Sequence, residues 1–313
     1  MISLTKHEIQ DYLKTQDFLV SNIELLQQNS RITDYVLNGE RLLRVSCEPL
    51  VEQFKLERVK TLSQVNHIIK SGKFVWNEVD YEYIIMEYYV GCNLYEAIPD
   101  LSEEQCISIG KDIGCFIEQL HSIKGKSYDI GHYIPTIANY QGTWKNGHIE
   151  YLKVLSADLD KIDFDDYARN TITSAINYIN DRLHVLEYQS GPRLLHNDLH
   201  PKNIIVNNGR LEGVIDWECS QYGEMDFELV HLMQWCLFPP DEGRAFNVLF
   251  KSMLSNLDAY KSIPYIEDRL TIYQLEHELN QLVWQGNNVT AQRIPRINAW
   301  IDGLGNEFLG YLK

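Results

Sequence analysis

Three residues within one short stretch carry the groups that phosphate chemistry needs. In Leu194-Leu-His-Asn-Asp-Leu-His-Pro-Lys-Asn-Ile-Ile-Val-Asn-Asn-Gly-Arg-Leu-Glu-Gly-Val-Ile-Asp216, Asp198 precedes Asn203 by five positions and Asp216 closes an apolar run. Asn208-Gly209 reads as a tight hairpin turn, because a two-residue loop of that kind needs positive φ at both positions. With those residues as the loop, Asn203 faces Val214, and Asp216 lies two residues further along the same face. The amide oxygen and the carboxylate are then diagonal neighbours, their β-carbons under about 8 Å apart. Two hard oxygens so placed suit Mg²⁺ with bound phosphates. Asp198, on the loop just ahead, is placed to orient a hydroxyl and accept its proton. Taken singly, each residue has an ordinary reading as a turn, a strand edge or a helix cap; the combination points to chemistry.

The elements that must hold these residues change character near residue 90. Before it, β-branched and aromatic runs predict strands over 22–27, 32–37 and 40–45, with Asn38-Gly39 as a hairpin turn. A helix is expected over 50–65, with Val51, Phe54, Val59 and Leu62 on one face, and then strands near 73–76 and 83–88. After Gly91 the pattern turns helical. Ser102-Glu-Glu-Gln is a capping box, and Cys106, Ile109, Ile113, Phe116, Ile117 and Leu120 recur at helical spacing behind it. Residues 123–150 read as an irregular insert, 151–188 as helical, 194–216 as short strands, and 226–237, 243–260, 264–286 and 291–312 as further helices. The expected fold is α+β: a small antiparallel-sheet lobe over 1–90 and a larger, mainly helical lobe over 91–313. A ligand cleft is expected at their join.

Composition narrows the function classes. The 313 residues are 44% hydrophobic and 23% charged, which excludes a disordered or collagenous chain. No apolar run approaches the roughly eighteen residues of a membrane span, and the first residues hold no apolar signal core. Six cysteines without a CxxC pair read as free thiols in a reducing cytoplasm. Basic residues number 28 against 44 acidic, net −16. Residues 1–90 hold 10 and 13 of these and the remainder 18 and 31, so the acidity lies in the later part. Such a field repels nucleic acid and anionic membranes and attracts cations.

His196-Asn-Asp-Leu-His-Pro-Lys-Asn203, followed by Val214-Ile-Asp-Trp217, resembles the aminoglycoside phosphotransferase and choline kinase family. Gly223-Glu-Met-Asp-Phe-Glu-Leu229 is similar to that family's Gly-Asp-Pro-x-x-Asp-Leu, with Glu224 and Glu228 in place of the acids and Met225 in place of the proline. The resemblance covers essentially the whole chain. It implies a bilobal protein-kinase-like fold and transfer of the γ-phosphate of ATP, or GTP, to a hydroxyl with Mg²⁺ as cofactor. Asp198 is then the catalytic base, Asn203 and Asp216 the metal ligands, and His196 and Glu228 supports of the catalytic loop.

On the nucleotide side, Arg44 in Leu42-Leu-Arg-Val45 stands where kinases place a phosphate-pairing lysine; it keeps the charge and adds a bidentate fork. Glu57 is expected to orient Arg44, with Glu52 as the alternative. Ser30, in Gln28-Asn-Ser-Arg31, is expected to reach a phosphate. Backbone groups of Glu87 and Tyr89, in Ile85-Met-Glu-Tyr-Tyr89, are expected to meet the base.

Asn197 in place of arginine, Asp216-Trp-Glu in place of Asp-Phe-Gly, and the lack of a Gly-rich loop point to a small-molecule acceptor rather than a protein. The acidity favours a cationic acceptor, an aminoglycoside-type antibiotic first. A choline- or ethanolamine-like amine, a macrolide, another metabolite, or an inactive nucleotide-binding module stay open. Candidate acids for a cation include Asp241, Glu242, Glu267, Asp268, Glu276, Glu278, Asp302 and Glu307, though Glu276 and Glu278, two apart on a helix, cannot both line one cleft; Trp235, Tyr273 and Trp284 read first as core and second as aromatics for an amine.

Overall fold

A computed structural model describes residues 5–133, 136–239 and 246–305. In chain order the elements of the amino-terminal part are α1 (Lys6–Thr15), β1 (Ile23–Gln28), β2 (Ile32–Leu37), β3 (Arg41–Ser46), α2 (Glu52–Val59), β4 (Ile68–Trp76), β5 (Val79–Glu87), β6 (Cys92–Asn93) and α3 (Leu94–Ala97). Next come α4 (Glu103–His121), β7 (Tyr128–Ile130), β8 (Ile137–Tyr140), α5 (Trp144–Leu159), α6 (Asp166–Arg182), β9 (Arg193–Leu195), β10 (Ile204–Asn207), β11 (Arg210–Val214) and β12 (Gln221–Gly223). The chain ends in α7 (Leu229–Leu237), α8 (Asn247–Ser255), α9 (Asp258–Lys261), α10 (Ile266–Gln285) and α11 (Thr290–Ile301).

Two compact units result: residues 1–97 with 202–218, and residues 98–201 with 219–313. The first is an antiparallel sheet in the order β1-β2-β3-β5-β4, joined by a smaller sheet β11-β10-β6. Its core is Ile9 and Leu13 of α1 packed on Tyr35, Leu37, Leu43, Val45, Tyr83 and Ile85. Helix α1 was not expected from apolar periodicity. Its signal is the capping box, in which Thr5 accepts from Glu8 N–H and the Glu8 carboxylate accepts from Thr5 N–H. Helix α2 is shorter than 50–65; of the face expected to be buried, Val59 and Leu62 are, while Val51 and Phe54 are exposed and Glu52 and Leu56 turn inward in their place.

Asn38 and Gly39 both take positive φ, as do Asn208 and Gly209, so both hairpin turns form where the dipeptides placed them. The strand pairing departs from the two-residue expectation in each. Leu37 pairs Arg41, which leaves Glu40 as an additional loop residue. In the second hairpin Asn207 pairs Arg210, but a bulge shifts the register so that Ile204 pairs Val214. Glycine is needed where this hairpin is approached closely: a β-carbon on Gly91 would lie 2.4 Å from the carbonyl oxygen of Val206.

The second unit is mainly helical and built round α10, whose residues from Arg269 to Leu282 are all buried. The N-cap of α4 is Ser102 with Gln105 completing the box, as expected. Within the stretch expected to be irregular, β7 and β8 pair and α5 begins at Trp144, capped by Thr143. Helix α10 carries polar residues all round, and its charged side chains find partners on other elements. The Asp226 carboxylate accepts from Arg269 Nε at 2.6 Å and from Nη2 at 3.1 Å, with both side chains fully buried. Glu276 meets His148 Nδ1 at 2.7 Å. Glu278 accepts from Arg293 at 3.0 Å and from Gln234 at 2.7 Å. Glu276 and Glu278 are therefore internal partners rather than acids facing a ligand. Tyr273 is likewise buried, accepting from Trp144 Nε1 at 2.8 Å. Asp241, Glu242 and Glu307 lie outside the described residues. No helix among the described residues is long and apolar enough to cross a membrane.

Asp226→Ala leaves the Arg269 guanidinium buried without its carboxylate. A loss of about 3–5 kcal/mol is expected, as for other broken buried ion pairs, read as a lowered urea midpoint. A loss below about 1 kcal/mol would show that the surrounding carbonyls suffice.

Candidate active site

In the first unit the site grows from one cross-strand pair. Asp34 on β2 stands directly opposite Arg44 on β3. Arg44 donates through Nε and Nη2, both at 2.9 Å, to the two oxygens of Asp34, and through Nη1 to Glu52 on α2. Gln27 Nε2 also donates to Asp34 at 2.6 Å. Asp34 is 1% exposed and Glu52 6%. The helix acid beside Arg44 is thus Glu52, not Glu57. Glu57 lies on the exposed side of α2 in an ion pair with Lys60 at 3.0 Å. Five residues along a helix turn through about 140°, so only one of the two acids can face the sheet. Asp34 was missed, although a correct register for the first hairpin would have found it.

The β10–β11 hairpin belongs to this same unit. Val214 bridges Val65, and its N–H donates to the Gln64 carbonyl at 2.8 Å. Asn203 closes a short 3-10 turn, Pro201–Asn203, and is 7% exposed. Its carbonyl accepts from Ile215 N–H at 3.0 Å. The bulge therefore sets Asn203 opposite Ile215, not Val214. Asp216 lies beyond the end of β11 in left-handed backbone, φ 67°. The period-two argument that put both residues on one strand face does not apply.

What the hairpin does bring together is charge. Burial pushes the Glu52 carboxyl up to about 7; Arg44 opposes the rise, and Asp216 and Asp34 add to it. Burial also opposes the Arg44 charge, but Asp34, Glu52 and Asp216 overcome it and hold the guanidinium above its ordinary value. Asp34, Glu52 and Asp216 all act on the Arg44 guanidinium, more negative charge than that one group balances, which favours a further positive group. Asp216 and Asn203 offer oxygen donors of the type Mg²⁺ takes, so the residues present fit that ion.

Ser30 is exposed at the tip of the β1–β2 turn, whose shape is held by Asn29 Oδ1 accepting from Arg31 and Ile32 N–H at 2.8 Å. At the end of β5, Glu87 N–H donates to the His67 carbonyl at 3.1 Å, and the Glu87 carbonyl accepts from Asn66 Nδ2 at 2.7 Å. Tyr89 packs so closely on the hairpin that a β-carbon at Gly213 would lie 2.2 Å from its ring.

In the second unit, Asp198 follows a loop shaped by Glu228. The Glu228 carboxylate accepts from His196 N–H at 2.8 Å and from Asn197 N–H at 3.1 Å. His196 is fully buried, and its Nδ1 accepts from Asp198 N–H at 3.3 Å. Both expected supports therefore act on the loop backbone. Around the Asp198 carboxylate stand groups that sequence reasoning missed. Tyr133 Oη donates to Oδ1 at 2.7 Å, and His200 and His231 lie at 3.5 and 3.8 Å. Tyr133 and His231 reach Asp198 from 65 and 33 positions away in the chain, where no local motif announces them. His200 stacks on Trp235, ring centroids 5.0 Å apart.

A conserved-family model described as the phosphotransferase enzyme family matches residues 66–261. That is well over half of the chain, which therefore belongs to this family and is a phosphotransferase. Its fold is similar to solved aminoglycoside phosphotransferases, and is accordingly protein-kinase-like. Against the crystal structure of aminoglycoside phosphotransferase APH(4)-Ia the TM-score is 0.69 at 17% identity, covering 96% of this chain and 99% of that one. Against the streptomycin–ATP–APH(2")-IIa ternary complex it is 0.63 at 19%, covering 95% and 97%. Against ADP-bound APH(2'')-Ib it is 0.63 at 18%, covering 95% and 98%. No curated protein matches the sequence at significance.

The raised Glu52 carboxyl has a consequence for stability. A carboxyl with its folded pKa above the unfolded one stabilises the fold fully below the unfolded value, near 4.5, and loses that contribution as pH rises through about 7. Thermal melts of the wild type and of Glu52→Gln should therefore differ in slope. Wild-type stability relative to the variant is expected to fall by up to about 3 kcal/mol between those pH values. A constant difference would show that Glu52 ionises like an ordinary carboxylate.

Proposed function

We propose that the protein transfers the γ-phosphate of ATP, or GTP, to a hydroxyl of a small cationic acceptor, of aminoglycoside type first. The observation that carries this reading is the buried arrangement of Arg44, Asp34 and Glu52 beside Asp216, with Asn203 on the same hairpin. Arg44 has five N–H donors, of which three serve Asp34 and Glu52. The remainder suit phosphate oxygens, and the exposed Ser30 turn offers a further hydroxyl and amide. Tyr89 offers backbone groups to the base, and Glu87 only the second lone pair of its carbonyl, since its N–H donates to His67 and its carbonyl already accepts from Asn66. Asn203 and Asp216 would hold Mg²⁺, which supplies neutralisation of the phosphate charge when bound. Asp198 orients the acceptor hydroxyl and takes its proton. The units 1–90 and 91–313 then serve mainly nucleotide and acceptor, with residues 202–218 returning to the nucleotide side.

The cationic acceptor is supported by the acidity of the later part of the chain and by the neighbouring enzymes. One of these was solved with hygromycin B and another with gentamicin. An enzyme of this kind would act in the cytoplasm and confer antibiotic resistance. A choline- or ethanolamine-like amine is the second reading. It draws support from Trp235 stacked on His200 beside Asp198, since an indole face attracts an ammonium group.

A coupled ADP-release assay over a panel of aminoglycosides, macrolides and amines tests the proposal. Asp198→Asn is expected to lose about 10²–10⁴-fold in kcat while Mg-ATP still protects the protein in thermal shift. Wild-type turnover in that variant would remove Asp198 from the chemistry. Asp216→Ala should abolish transfer and the Mg²⁺-dependent part of nucleotide affinity. Nucleotide binding that stays Mg²⁺-dependent in this variant would place the ion elsewhere. Protection by Mg-ATP without turnover on any acceptor would favour an inactive nucleotide-binding module.

A further inference from the structure

Below Asp198, in the second unit, three histidines from separate elements converge. His132 precedes β8, His231 lies on α7 and His277 on α10; they are 0%, 4% and 5% exposed. One ring nitrogen from each lies within 4.8 Å of the others. His132 Nδ1 and Nε2, His231 Nε2 and His277 Nδ1 are all buried without a hydrogen-bond partner. An unsatisfied buried polar atom costs about 1–3 kcal/mol, and such groups in native proteins commonly mark a bound water or ion.

The tautomer of His231 follows from its neighbour. Tyr133 has one hydroxyl proton and donates it to Asp198 Oδ1 at 2.7 Å. The contact of 2.9 Å between Tyr133 Oη and His231 Nδ1 must then be donated by the imidazole N–H. That leaves Nε2 of His231 as a bare lone pair inside the cluster.

The geometry points to a transition-metal site formed by His132, His231 and His277, most suited to Zn²⁺. Imidazole nitrogens bind Zn²⁺ at about 2.0–2.1 Å, and three such ligands with an open fourth position are an ordinary zinc arrangement. Three neutral imidazoles also exclude the hard cations, which take oxygen. A ligating histidine usually donates its other N–H to an oxygen that fixes the ring. Here that oxygen is Tyr133 Oη, which in turn donates to Asp198. The negative charge that a buried dication needs is supplied through this chain by Asp198. The ion would lock the His231 ring and, through Tyr133, the carboxylate of Asp198.

The test uses the full chain, expressed with Zn²⁺ in the medium and analysed by inductively coupled plasma mass spectrometry. Near-stoichiometric zinc is expected, and protein refolded with Co²⁺ should show the visible d–d absorption of a four-coordinate site. His132→Gln and His277→Gln keep most of the side-chain volume and should each lose the metal and the Co²⁺ spectrum while keeping the far-UV circular dichroism of the wild type. Tyr133→Phe leaves all three ligands in place, and guards against a ligand variant that fails to fold. It should keep the metal but bind it about 10–100-fold more weakly, the usual effect of losing an outer hydrogen bond. Wild-type protein that retains no metal after refolding in excess Zn²⁺, with no Co²⁺ spectrum, would overturn the proposal and leave the cluster as histidines bonded to buried water.

Discussion

Burying a guanidinium costs several kcal/mol unless carboxylates and hydrogen bonds replace the water it loses. Arg44 is met in this way by Asp34 across the sheet and by Glu52 from α2. That requirement fixes much of the first unit. It sets the register of β2 against β3, turns the Glu52 face of α2 inward, and leaves apolar Phe54 in solvent. It also makes the region electrically unfinished. With Asp216 close by, carboxylates outnumber the cation they surround, and Glu52 responds by holding its proton towards neutral pH. A dication would relieve the surplus, and the phosphate oxygens arriving with it would accept from the remaining N–H donors of Arg44.

The positions of strands and turns were largely legible because they follow from local rules. Asn-Gly turns, the Ser102 box and apolar spacing in α4 each act over a few residues. What failed was register and facing, which depend on one-residue differences. A two-residue turn at Asn38-Gly39 would set Leu43 opposite Asp34. The additional Glu40 moves Arg44 there instead, and the ion pair follows. A bulge in the second hairpin likewise moved Asn203 from Val214 to Ile215. The motif residues Asp198, Asn203 and Asp216 were singled out by their spacing, which does not depend on register.

A second kind of failure came from buried charge. The resemblance favoured Glu57 over Glu52 as the partner of Arg44, and the acidity of the later chain offered Glu276 and Glu278 to a ligand, because neither signal shows which acids are buried. In α10 the buried charged groups find partners on other elements: Asp226 for Arg269, His148 for Glu276, Arg293 for Glu278. None of these partners is local, so no window of sequence shows them. Tyr133 and His231 reach Asp198 by the same kind of long-range convergence.

Both proposed working carboxylates sit at unusual backbone. Asn197, just before Asp198, has φ 61°, and Asp216 itself has φ 67°. Asn and Asp tolerate this region better than other side chains, but it still costs of order 1–3 kcal/mol. At Asn197 the cost is met directly. Glu228 accepts two successive backbone N–H groups through its two oxygens, and charge-assisted bonds of this kind contribute about 1.5–3 kcal/mol each. A side chain long enough to span both amides from the start of α7 explains why glutamate serves at position 228. At Asp216 the flanking residues carry the turn instead, through Ile215 N–H on the Asn203 carbonyl and Trp217 Nε1 on the Val214 carbonyl at 3.0 Å. The carboxylate of Asp216 is thereby left out of its own support, which is the condition for it to serve a ligand.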